Sequence, residues 1–207
     1  MTEIDYYFTI VSPWAYLGHA AFRDMAARQG AAIRVRPLSL AELFPETGGA
    51  PLAKRHPARQ AYRWVELKRW REYRQQPLNL VPKHFPVDPG LFDRAVIAAS
   101  EGDRDVLDLV NRGFRAVWVE DRDVSDADTV SAILAEAGLD ASETIEAADD
   151  PVIRARYSEN ARDAIAAGIV GSPGYVLQGE PFWGQDRIEL LEAALVSGRA
   201  PYKAEGA

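Results

Sequence analysis

Residues 4–18 read IDYYFTIVSPWAYLG, and this stretch decides how the fold begins. The segment from Glu3 to Val11 is rich in the β-branched and aromatic residues that favour a buried strand. Ser12 and Pro13 follow as a helix N-cap and a proline at the first helical position. Apolar residues then recur at helical spacing, which predicts a helix over Trp14–Gln29.

A second strand over Ile33–Leu38 would complete a β-α-β unit with two parallel strands. The long middle of the chain shows helical patterns only, apart from a loop at Gly48–Pro51 and a proline-rich stretch before Asp88. Helices are predicted over Pro57–Gln75, after the N-cap Asp88, from Asp103, from a capping box at Ser125 and Asp128 to Gly138, from Asp140, and from Asp150-Pro151 to Ala167.

Strand character returns near the end of the sequence. Gly174–Gln178 and Pro181–Trp183 flank a Gln-Gly-Glu turn and predict a β-hairpin, which a last helix follows. We therefore expect an α/β fold with two domains. Residues 1–45 and 168–207 would form the sheet-containing domain, and residues 46–167 would form an all-helical insertion.

Composition excludes several classes of function. The chain has 207 residues, a net charge of −7, three histidines and no cysteine. The negative charge argues against nucleic acid as the main partner. Without thiols or a recognisable histidine spacing, neither disulfides nor a metal site is expected. No apolar run approaches the roughly 20 residues that cross a bilayer. Glu3 and Asp5 stand where a signal peptide would carry positive charge, so a cytoplasmic location is expected.

Ser12 has two interpretations. As an ordinary N-cap, its hydroxyl would contribute about 1 kcal/mol to the helix. At the positive end of a helix, the same hydroxyl can also donate to an anion and lower the pKa of a bound thiol. Because the chain has no cysteine, any sulfur at this turn must arrive on a ligand.

Three segments carry a family resemblance: Ser12–Gly18, Gly168–Val176 and Phe182–Leu191, with a further match on the long helix at residues 59–70. With the order of elements, they resemble the 2-hydroxychromene-2-carboxylate isomerases and the related kappa-class glutathione transferases, in the DsbA-like branch of the thioredoxin superfamily. The resemblance implies a thioredoxin-like (DsbA-type) domain with a large helical insertion, and glutathione as cofactor.

The resemblance also implies roles for residues. Ser12 would face the sulfur of glutathione, and the backbone of Ser172, before a cis Pro173, would hold the cysteinyl part. The γ-glutamyl end would bind at Trp183, Gly184, Gln185 and Asp186. As alternatives, Pro173 would only open a strand, and Asp186 would only cap the last helix. Ser172 and Gly174 depart from the apolar and β-branched residues that the family usually has beside this proline.

A carboxylated aromatic substrate needs cations, and Lys54 and Arg55 lie together with Arg59 beside the Gly48-Gly49 loop. Alternatively, this basic cluster is a solvated helix start. His84, in the proline-rich stretch, is a further candidate for the substrate pocket. Relatives often carry a substrate-contacting asparagine in the loop, and it is missing here. The aromatic residues Tyr62, Trp64, Trp70 and Trp118 are interpreted as core.

These observations favour a glutathione-dependent isomerase. In such an enzyme the thiolate adds to an intermediate of aromatic-compound breakdown, permits bond rotation and leaves again. A kappa-like glutathione transferase, or another thiol-dependent enzyme of this family, would release the conjugate instead. A non-catalytic thioredoxin-like binding module is the third possibility. The helical block suggests a homodimer.

Overall fold

The computed structural model describes residues 2–101 and 104–204. Its strands are β1 Glu3–Phe8, β2 Ala32–Pro37, β3 Gly174–Leu177 and β4 Glu180–Trp183. Its helices are α1 Pro13–Arg28, α2 Leu40–Thr47, α3 Pro57–Tyr73, α4 Gly90–Ser100, α5 Leu107–Trp118, α6 Ala127–Glu136, α7 Ala141–Asp149, α8 Pro151–Ala166 and α9 Ile188–Ser197. Two short 3-10 turns lie at Leu52–Lys54 and Gln185–Arg187.

The four strands form one mixed sheet in the order β2-β1-β3-β4. β1 runs parallel to β2 across the α1 connection, and β3 runs antiparallel to both β1 and β4. Both the β-α-β unit and the hairpin are therefore confirmed. At the hairpin, Gln178 and Gly179 have φ values of 51° and 84°, as a tight turn between twisted strands requires. Between β2 and β3 the described residues form helices and loops only.

β1 ends earlier than predicted. Strand pairing stops at Phe8, because the carbonyl of Thr9 accepts a hydrogen bond from Ser12 N at 3.0 Å and turns the chain toward α1. This turn, residues 9–12, is called the Ser12 turn below.

The core extends from the sheet into the helices. Tyr6 of β1 stacks on Tyr175 of β3 with ring centroids 5.5 Å apart, and Phe8 packs on Phe114 of α5 at 5.7 Å. His19 of α1 is buried between the Tyr6 hydroxyl and the carbonyl of Leu107. Burial lowers the pKa of His19 to about 4, so this histidine is a neutral core residue at physiological pH.

Several helix boundaries differ from the sequence expectations. α2 was not predicted, because Pro45 and the glycines after it indicate a loop. α6 is capped by Asp126, whose carboxylate accepts from Thr129 N at 3.0 Å, while the predicted cap Ser125 bonds to Asp123. The predicted helix start Asp103 lies outside the described residues, and α5 begins at Leu107.

Two of the aromatic residues interpreted as core are exposed. Tyr62 and Trp64 of α3 have 59% and 40% of their surface exposed, whereas Trp118 of α5 is buried. α3 buries only Leu67 completely, so most of this helix faces outward. No helix in the described part of the chain has the length and apolar character that crossing a membrane requires.

Candidate functional site

Ser12 caps α1 and is almost completely buried, with 4% of its surface exposed. Its Oγ accepts a hydrogen bond from Ala15 N at 3.2 Å and donates one to the carbonyl oxygen of Ser172 at 2.9 Å. Pro13 occupies the first helical position, and the first turn of α1 holds no acidic residue. No carboxylate within the first turn of α1 therefore offsets the positive end of its dipole.

Ser172 and Pro173 lie against the Ser12 turn. The peptide bond between them is cis, as the family resemblance implied. Ser172 Oγ accepts from Thr9 N at 3.2 Å, and the carbonyl of Pro173 accepts from Gly184 N at 3.0 Å. Hydrogen bonds thus bring together three segments that are far apart in the sequence: the Ser12 turn, residues 172–173 and the turn at residues 183–186.

The turn at residues 183–186 is partly exposed to solvent. The ring of Trp183 is 54% exposed and lies so close to Gly171 that a side chain there would collide with it. The backbone of Gly184 has a φ of 107°, which glycine adopts without strain. Asp186 is partly exposed and pairs with the neighbouring Arg187 at 2.7 Å. Asp186 does not cap α9, because Arg187 occupies the N-cap position and no side chain bonds there.

Gln185 is held inside the protein by Arg74, which follows α3. Arg74 Nε donates to Gln185 Oε1, and Arg74 Nη2 donates to the carbonyl of Gln185, both at 3.0 Å. Arg74 also pairs with Glu189 at 3.2 Å and stacks over Trp70. The side-chain oxygen of Gln185 is therefore already hydrogen-bonded within the protein. Arg74 itself was not identified from the sequence.

In the sequence, the predicted substrate residues Lys54, Arg55 and His84 are well separated from these three segments. Lys54 is exposed in the 3-10 turn Leu52–Lys54. Arg55 is half-buried; its Nε donates to the carbonyl of Ala50 at 2.8 Å, and its guanidinium lies 6.0 Å from the centre of the Phe44 ring. His84 Nδ1 lies 3.5 Å from a carboxylate oxygen of Asp123.

The segment after His84 reaches the Ser12 turn through aromatic packing. Phe85 packs on Trp118 with ring centroids 5.1 Å apart. The indole Nε1 of Trp118 donates to the carbonyl of Ile10 at 2.9 Å. The proline-rich stretch therefore connects with the backbone just before Ser12.

Asp93 of α4 is a second residue that sequence reasoning missed. It is completely buried, its Oδ1 accepts from Ile10 N at 3.3 Å, and its Oδ2 accepts from the Tyr157 hydroxyl at 3.2 Å. Burial raises the pKa of Asp93 to about 7. The available signal was an acidic residue among the inward-facing apolar residues of α4.

A groove of about 910 Å³ lies elsewhere, beside β2 and the ends of α1 and α4. None of the residues of the Ser12 turn, 172–173 or 183–186 lines it. Two of its arginines are paired, Arg34 with Glu3 at 3.2 Å and Arg36 with Asp163 at 3.3 Å. Within residues 2–101 and 104–204, no group of three or more His, Asp and Glu side chains is arranged to hold a metal ion.

Comparison with known proteins agrees with this architecture. A family model described as a DSBA-like thioredoxin domain matches residues 3–196. The chain is 26% identical to a 2-hydroxychromene-2-carboxylate isomerase of Sphingobium xenophagum, over 93% of this chain and 97% of the relative. It is 24% identical to the glutathione S-transferase kappa 1 of Caenorhabditis elegans, over 92% and 89% of the two chains.

A solved structure of 2-hydroxychromene-2-carboxylate isomerase superposes on the chain with a TM-score of 0.81 at 26% identity. The superposition covers 94% of this chain and 95% of the other. The resemblance seen in the sequence and the thioredoxin-like fold class that it implied are therefore confirmed. The chain belongs to the family of DSBA-like thioredoxin domains.

Proposed function

We propose that this protein is a glutathione-dependent isomerase of the 2-hydroxychromene-2-carboxylate type. The observation that carries the proposal is the position of Ser12 in a chain without cysteine. Its hydroxyl lies at the N-terminus of α1 and 2.9 Å from the carbonyl of Ser172, beside the cis peptide bond to Pro173. The names of the relatives support both the isomerase activity and the use of glutathione.

The residues around Ser12 fit a peptide that carries an anionic sulfur. The N-terminus of α1 attracts negative charge, and its first turn has no carboxylate to compete. The exposed face of Trp183 and the partly exposed Asp186 form the other end of the site. Asp186 would exchange its pairing with Arg187 for the ammonium of the γ-glutamyl group.

Glutathione, when bound, would supply a thiolate that adds to an electrophilic carbon of the substrate and is eliminated after bond rotation, so it is regenerated. Ser12 would turn its hydroxyl proton from the Ser172 carbonyl toward the sulfur. This donation and the α1 dipole together stabilise the negative charge. Lys54, Arg55 and His84 would face the carboxylated substrate.

Glutathione titration with Ser12→Ala tests the proposal. The native protein should show the ultraviolet absorbance of a bound thiolate at neutral pH, and Ser12→Ala should lose most of it. Ser142→Ala, which changes an exposed serine on α7, is the matched control. An unchanged thiolate signal in Ser12→Ala would contradict the role of Ser12. If millimolar glutathione fails to raise the melting temperature of the native protein, a binding module without this chemistry becomes the better interpretation.

The second candidate is a kappa-like glutathione transferase, which the similarity to the kappa-class relative favours. The loop at Gly48-Gly49, where the expected asparagine is missing, supports it as well. Following the glutathione concentration during turnover separates the two activities, because an isomerase leaves it constant and a transferase consumes it. The homodimer and the cytoplasmic location stay predictions.

A further inference from the structure

Arg63, on α3, is a partly buried cation with no carboxylate partner among the described residues. Its side chain also makes no hydrogen bond within that part of the chain, and its guanidinium lies 6.0 Å from the centre of the Phe85 ring. Arg36 and Arg94, which are also partly buried, each pair with a carboxylate at 3.3 Å or less. An unpaired cation that has lost much of its hydration is costly to the fold.

Arg55 adds a second cation near this part of α3, because its carbonyl accepts a hydrogen bond at 2.8 Å from the side chain of Gln60, one helical turn before Arg63. It too lacks a carboxylate partner among the described residues, and its Nε is occupied by the carbonyl of Ala50. Burial is the main cause that lowers the pKa of Arg63 to about 10, and the nearby charge of Arg55 lowers it further. Arg63 nevertheless keeps its charge at neutral pH. Two neighbouring guanidinium groups without a counter-ion form a binding element for an anion, and their planar forks suit a carboxylate.

The surroundings of this pair are aromatic. Phe44 lies under Arg55 and Phe85 lies under Arg63. Phe85 packs on Trp118, and Trp118 bonds to the backbone two residues before Ser12. A flat ring that carries a carboxylate would therefore meet apolar surface and positive charge together beside these two arginines.

We propose that Arg63, with Arg55, holds the carboxylate of the substrate and selects flat carboxylated aromatic compounds over their neutral analogues. This inference rests on the proposed function for the identity of the reacting substrate, but the anion site itself can be measured without turnover. Arg63 would add a less exposed cation to the predicted Lys54, which is exposed in the 3-10 turn Leu52–Lys54.

The experiment compares salicylate with neutral salicylamide, titrated into the native protein and followed by calorimetry. Salicylate should bind more tightly than salicylamide. Arg63→Gln should weaken salicylate binding by roughly tenfold or more, since a charge-assisted hydrogen bond is lost, and should leave salicylamide unaffected. Arg63→Lys should restore part of the affinity. Arg69→Gln is the matched control, because Arg69 lies on the same helix but is exposed and paired with Glu66.

Stability separates a binding role from a structural one. Removal of an unpaired, partly buried charge should leave the melting temperature of Arg63→Gln equal to or above that of the native protein. Equal salicylate affinity in Arg63→Gln and Arg69→Gln, or no preference of the native protein for salicylate, would overturn the inference. The proposed function fails separately, through the absence of glutathione binding.

Discussion

Ser12 serves both the fold and the candidate site with one hydroxyl group. Its lone pair accepts from Ala15 N, which caps α1, and its proton goes to the carbonyl of Ser172. A ligand thiolate must compete with that carbonyl for the same proton. The capping bond can persist meanwhile, because it uses the oxygen as acceptor. The two interpretations that the sequence left open are therefore compatible.

Asp93 supports the same turn from the helical side. It binds Ile10 N and the Tyr157 hydroxyl, and no cation lies among the groups that perturb it. The charged or titratable groups that face it are Tyr157 of α8 and Asp88, which precedes α4; neither is positive. With a pKa of about 7, this carboxyl is about half protonated at neutral pH, and it accepts a hydrogen bond from Ile10 N, two residues before Ser12.

Asp93→Asn should change how stability depends on pH. The pKa of Asp93 rises from 3.8 to about 7 on folding, so the folded state binds the proton more tightly. The resulting stabilisation is complete below pH 4 and is lost as the pH rises through 7. Between pH 5 and pH 8 the native protein should lose on the order of 2 kcal/mol of unfolding free energy from this group, and Asp93→Asn should not.

Urea unfolding at the two pH values measures this difference. Asp128→Asn, at an exposed position on α6, provides the control and should keep the native pH dependence. If Asp93→Asn and the native protein lose the same stability between pH 5 and pH 8, Asp93 does not titrate in this range.

Among the helices and turns, the sequence predicts those features that depend on residues close together in the chain, such as helix caps. The caps at Asp140 and Asp150 were predicted, and each carboxylate accepts from a backbone N–H two or three residues later. α2 could not be predicted, because it contains Pro45 and owes its place to packing against α8. Arg74 and Gln185 are 111 residues apart, so no local pattern announces their contact.

Arg74 connects α3 with the turn at residues 183–186, and Arg74→Ala should loosen that turn. Without Arg74, the buried Oε1 and the carbonyl of Gln185 lose their donors. We expect faster hydrogen exchange at Gly184–Arg187 and roughly tenfold weaker glutathione binding. Exchange mass spectrometry and calorimetry measure the two effects. Arg69→Ala, on α3, should change neither the exchange rate nor the affinity for glutathione. Unchanged exchange at Gly184–Arg187 in Arg74→Ala would contradict the positioning role of Arg74.

At the scale of the whole molecule, we propose the division into residues 1–45 with 168–207 and residues 46–167 as a description of topology. The two parts share one hydrophobic core. Phe114 of α5 packs on Phe8 of β1, and α4 contacts β2. Periodicity could indicate two kinds of segment in the sequence, but it could not show that their apolar faces meet.

Because the core is shared, the protein should unfold in one transition. Separation of the parts would expose Phe8, Phe114 and Trp118, which are all buried, and would break the bond from Trp118 to Ile10. Tryptophan fluorescence and far-ultraviolet circular dichroism should therefore give the same urea midpoint. Phe114→Ala should lower both midpoints together, through a loss of about 3–5 kcal/mol. Two separate transitions, with only one of them moved by Phe114→Ala, would mean that the helical insertion folds independently of the sheet-containing part.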